Sequence, residues 1–228
     1  MRIDGIALNS GTIILYIHTA FFTPAMPRIP ECKPPTIYQL RELWRRHRGN
    51  GIVHRLILEI QHLRGFFRDV ELLREVIQRC WYEETGNKLV ALERLCVELQ
   101  EELFRAGVVT DTPKPRALPP FTPPTRHDLR ALAQHYRNDE AIQALIEEIW
   151  HARAFVLRVD ELRLVVVRCW RAETDCDLVA LEELRVRLEA EKTRAGVIAS
   201  AEPAQREQPG LTARIPLDLN GQPEQRRG

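Results

Sequence analysis

The chain has 228 residues, 44% hydrophobic and 29% charged, with 33 Lys and Arg against 32 Asp and Glu for a formal net charge of +1. That balance excludes a disordered polyelectrolyte and a polyanion binder working through bulk charge, leaving only a local basic face for such a task. Five cysteines with no Cys-x-x-Cys pair (Cys32, Cys80, Cys96, Cys169 and Cys176) exclude a disulfide scaffold and read as small core thiols of a cytoplasmic protein.

Residues 1–33 read as a poorly ordered amino-terminal extension. Its apolar run from Gly11 to Phe22 is too short to span a bilayer, His18 interrupts it, and Asp4 cancels Arg2, so neither a membrane anchor nor a secretory leader is expected. Met26 offers a second start. After Pro34-Pro35, Thr36 is placed to cap a first helix that runs through Ile37, Leu40, Leu43, Trp44 and His47 and stops at Gly49-Asn50-Gly51. Ile52, Leu56, Ile60 and Leu63 predict a second helix. Val70, Leu73, Val76, Ile77, Cys80 and Trp81 predict a third, with Asp69 as its cap. Leu89, Leu92, Cys96, Leu99 and Leu103 make a fourth, which Gly107 ends as a left-handed cap.

Pro113, Pro115, Pro119 and Pro120 then mark a stiff linker over 113–122. Beyond it the sequence repeats itself 89 positions on: Pro34-Pro35-Thr36 returns as Pro123-Pro124-Thr125, Cys80-Trp81 as Cys169-Trp170, Leu89-Val90-Ala91-Leu92-Glu93 as Leu178-Val179-Ala180-Leu181-Glu182, and Arg105-Ala106-Gly107-Val108 as Arg194-Ala195-Gly196-Val197. The expected architecture is therefore all-α: two tandem four-helix units of about 75 residues, 34–112 and 123–198, each near the lower limit of what folds alone. Residues 199–228 read as a disordered tail whose LTARIPLDL run could serve as a docking peptide.

Candidate chemistry is sparse. Glu59-Ile60-Gln61-His62 and Glu148-Ile149-Trp150-His151 are Glu-x-x-His pairs, which place a carboxylate and an imidazole one turn apart, as dinuclear metal sites in helical bundles require, and Glu84 and Glu173 would supply further carboxylates. Projection at about 100° per residue puts Glu59 and Glu148 at the edge of the apolar stripe and His62 and His151 further out. The alternative is that Glu84 and Glu173 pair with Arg64 and Arg153. Cys80 and Cys169 lack the neighbouring base of a nucleophile. Arg41, Arg45, Arg46, Arg48 and Arg55 form a basic surface over the first two helices, able to meet phosphates or simply to be solvated.

No catalytic constellation, cofactor loop or clear metal site follows, so neither an enzyme nor a cofactor is expected. The reading is a non-catalytic helical interaction or adaptor protein that binds a protein partner or itself, with Trp44, Trp81, Trp150 and Trp170 as interface anchors. Nucleic-acid binding through the basic surface is the first alternative, and metal binding through the Glu-x-x-His pairs the second.

Overall fold

The computed structural model describes residues 33–108, 117–174 and 176–196. Helix α1 spans Ile37–Arg46 and opens with a capping box: Thr36 Oγ1 accepts from the Gln39 amide, and the Thr36 amide donates to Gln39 Oε1 at 2.7 Å. Asn50 then caps α2, Gly51–Thr85, by accepting from the amides of Ile52 and Val53. Helices α3 (Val90–Arg105), α4 (Arg126–His135), α5 (Glu140–Thr174) and α6 (Val179–Arg194) complete the set. The described residues contain no strand, and none of their helices is long and apolar enough to cross a membrane.

Each half of the chain thus holds three helices, where the spacing predicted four. The expected second and third helices are one, and Asp69 lies within it instead of capping it. The physical reason is an unbroken buried stripe, Ile60, Leu63, Phe67, Val70, Leu73, Ile77 and Trp81, with no proline in it. Gly65 weakens the helix locally, but burial of Phe67 and Val70 on the next turn outweighs that cost. Gly86, at φ 66, ends α2, and Gly107 and Gly196, at φ 65 and 66, follow the last turns of α3 and α6.

At 35 residues, α2 and α5 are each about 52 Å long and form the most extensive helix pair. They run parallel: Phe67 meets Phe155 edge-on at 5.1 Å, and Trp81 meets Trp170 at 5.9 Å. Helices α3 and α6 each turn back and lie antiparallel over the two opposite grooves of this pair, while α1 packs on α2 and α4 on α5. Buried side chains from both halves form one apolar cluster. The expected extension (except Lys33), the first four linker residues and the whole expected tail 199–228, with its LTARIPLDL run, lie outside the described residues.

Candidate functional site

The glutamates of the Glu-x-x-His pairs are fully buried, contrary to the edge position that the apolar stripe implied, whereas His62 and His151 are half-buried and lie further out. Glu59 is 0% exposed and Glu148 2%. The reason is that α2 and α5 each touch several other helices, so the arc of each that loses water is wider than the stripe its apolar residues trace.

Each carboxylate is held by arginines of the other half. Arg153 donates to Glu59 Oε1 at 2.6 Å, and Arg194 donates to both Glu59 oxygens at 2.8 and 3.0 Å. Arg105 donates to Glu148 Oε2 at 2.8 Å, with Arg64 at 3.7 Å from Oε1. Arg194 also forks onto Glu191 and Arg105 onto Glu102. His62 Nε2 lies 2.8 Å from Glu191, and His151 Nε2 lies 2.9 Å from Glu102. Arg64 and Arg153 further donate to the carbonyl oxygens of Pro35 and Pro124, at 2.7 and 2.8 Å, which ties the extended chain before α1 and α4 to the core. Such bidentate, charge-assisted bonds are what allow ions to lie this deep.

Burial alone would raise the pKa of Glu102 and Glu191. Bonds from Arg105 and His151 on the one, and from Arg194 and His62 on the other, more than reverse this and hold both carboxyls below the usual range. Burial depresses Arg64, whose nearest carboxylate is the more distant one.

Chemically, these clusters are closed. A cation at Glu59 or Glu148 would have to displace a guanidinium, and among the described residues no group of three or more His, Cys, Asp and Glu side chains could hold a metal. Glu84 and Glu173 are both exposed, and Arg64 and Arg153 pair with Glu148 and Glu59 instead of with them. Lys192, at a position where the first half has Leu103, is buried and donates to Asp160 and Glu189 at 2.8 and 2.6 Å. Cys80, Cys96, Cys169 and Cys176 are free thiols, and burial pushes Cys96 and Cys169 up, away from the thiolate a nucleophile needs. Trp81 and Trp170 are buried against each other, which leaves Trp44 and Trp150 as the partly exposed members of the tryptophan set.

The basic surface divides. Arg55 pairs with Asp128 of α4 at 3.3 Å, whereas Arg41, Arg45, Arg46 and Arg48 are exposed and form no ion pair among the described residues. Beside Arg41 and Arg45, between α1 and α2, lies a cleft of about 260 Å³ lined by Ile37, Leu40, Trp44, Ile57, Leu58 and Gln61. Its tryptophan is fixed in place. The His54 ring stacks on Trp44 with centroids 3.8 Å apart and planes 8° from parallel, and His54 Nε2 lies 3.1 Å from the Trp44 carbonyl oxygen. Sequence spacing misses this pair, because it joins two helices across the Gly49-Asn50-Gly51 turn.

No family model, curated protein or solved structure matches the chain.

Proposed function

We propose that the protein is a non-catalytic interaction module, built from an internal duplication of a helical unit, that binds a protein partner through its outer surface. One observation carries this reading: the deepest carboxylates, Glu59 and Glu148, are held in closed ion pairs, while an apolar cleft with arginines that form no ion pair among the described residues stays open at the surface. A surface of that kind suits association better than bond-making, which needs a polar group free to meet substrate. Four free thiols fit a reducing, cytoplasmic setting.

Affinity capture with the tagged full chain, at low and at physiological salt, tests the reading. A specific protein partner or a defined self-assembly is expected, and a monomer that retains nothing at either salt would sink it.

Nucleic-acid binding is the second reading, favoured by the four exposed and unpaired arginines of α1 and the turn after it. It requires retention on a polyanion column that falls steeply with salt and weakens when Arg45 and Arg46 are both changed to Ala. Retention unaltered in that variant would remove it.

A further inference from the structure

The α1–α2 cleft is chemically one-sided. Its floor is aliphatic, with Leu40 and Ile57 buried and Leu58 half-buried; its walls are Ile37 and the pinned indole of Trp44; and its charged lining residues are Arg41 and Arg45 alone. Arg48 follows in the turn after α1 and is exposed as well. Among the described residues no carboxylate lines the cleft, although acids make up nearly half the charged residues of the chain. Gln61 adds a buried Nε2 that makes no hydrogen bond among the described residues.

Resting on the interaction-module reading, we infer that this cleft binds an acidic amphipathic helix of a partner protein, whose apolar side chains enter between Trp44 and Leu58 and whose carboxylates meet Arg41 and Arg45. An indole that is already immobilised loses little rotamer freedom on binding, which favours it as an anchor. The arginines meet carboxylates bidentately and stay solvated at the rim, so they select for charge and speed encounter more than they add affinity. A nucleic-acid strand fits less well. Apart from the Gln61 amide the lining between the arginines is apolar, and His54 already occupies one face of the cleft indole on which a base could stack.

Positions 89 residues on provide an internal control. There Arg126 replaces Ile37, Ala133 replaces Trp44, Gln134 replaces Arg45 and Glu147 replaces Leu58. The corresponding face of α4 and α5 therefore keeps two arginines, Arg126 and Arg130, but loses the indole of the short helix and the aliphatic Ile37 wall, gains an acid, and carries its tryptophan, Trp150, on the long helix in place of Gln61, so the same ligand is not expected to bind twice.

The test measures fluorescence anisotropy with the full chain and three labelled peptides of about four helical turns. They share one leucine face and carry Glu, Gln or Lys elsewhere. A single-stranded oligonucleotide of matching charge serves as a fourth probe. One peptide per chain is expected, with the Glu peptide bound about tenfold more tightly than the Gln peptide and the Lys peptide weakest. Leu58→Glu, which copies the second half, should abolish binding. Arg41→Gln with Arg45→Gln should bring the Glu peptide down to the Gln level without changing the fold, since both side chains are exposed. Equal binding of all three peptides overturns the inference and leaves the module reading standing. So does failure of every probe alongside a captured partner indifferent to Leu58→Glu. Binding of the oligonucleotide alone overturns both.

Discussion

His54 stacks on Trp44 and lies within hydrogen-bond distance of its carbonyl oxygen; at the equivalent place in the second half, Gln143 Nε2 donates to the Ala133 carbonyl oxygen at 2.7 Å and the aromatic ring is gone. The bond that staples the short helix to the long one survives, and the anchor does not. In the ion clusters the halves match group for group, Glu59 with Glu148, His62 with His151, Arg64 with Arg153, Glu102 with Glu191 and Arg105 with Arg194, although elsewhere in the interior Lys192 stands for Leu103 and Leu157 for Arg68. What both halves need is the closed interior, and what distinguishes them is an outer face free to take on work of its own.

The match is not perfect, and its flaw can be measured. Glu59 receives direct bonds from Arg153 and Arg194, whereas Arg64 stands 3.7 Å from Glu148 and its Nε is buried without a hydrogen bond among the described residues. Glu59→Ala leaves two guanidinium groups without their shared counterion and should cost about 3–5 kcal/mol in urea unfolding. Glu148→Ala, which deprives Arg64 and Arg105 of theirs, should cost a comparable amount, and no loss in either variant would show that these pairs add nothing net to stability.

Acid comes next in size. The folded pKa of Glu102 and Glu191 lies below its unfolded value, so their stabilisation is complete above the unfolded value, about 4.3, and disappears as pH falls through the folded one. The melting temperature should hold from neutrality to about pH 5 and fall below about pH 4. A plateau persisting through that window would show that these carboxyls contribute nothing by ionisation.

Removing a cap probes the exterior on equal terms. Thr36→Ala and Thr125→Ala each delete one capping box and should each cost about 1 kcal/mol. Chemical denaturation of the two variants side by side checks this, and a large gap between them would mean that α1 and α4 are held differently. The smallest effect has the opposite sign. Gly65 is half-buried within α2, a Cβ there would meet nothing within 4 Å, and the second half has Ala154 at that place. Gly65→Ala should therefore stabilise the protein by about 0.5–1 kcal/mol, and a lower denaturation midpoint would contradict it.

Local signals carried well from sequence to structure where the physics is local. Thr36 as a cap, the stop at Gly49-Asn50-Gly51 and the left-handed Gly107 all depend on neighbours within one turn. Asp69 misled because aspartate is a good cap and equally tolerable on a flank of a long helix, and only the unbroken burial of Phe67 and Val70 decides between the two. The ion clusters were illegible for a different reason. A stripe drawn from apolar residues gives no weight to a buried charge, and Glu59 can be placed inside only once α5 is known to run parallel to α2 and bring Arg153 to it. The cleft was half visible: its arginines and Trp44 stood out, but the aliphatic floor from α2 did not.

Because Glu59 and Glu148 are answered by arginines from the opposite half, a change to one of these residues is felt at once by residues of the other half of the chain. Such sets can drift only together, through simultaneous or compensated substitutions, which keeps the interior of both halves alike. The pocket beside Trp44 has no such tether. It is there that one half could acquire a trade while its twin remained a support.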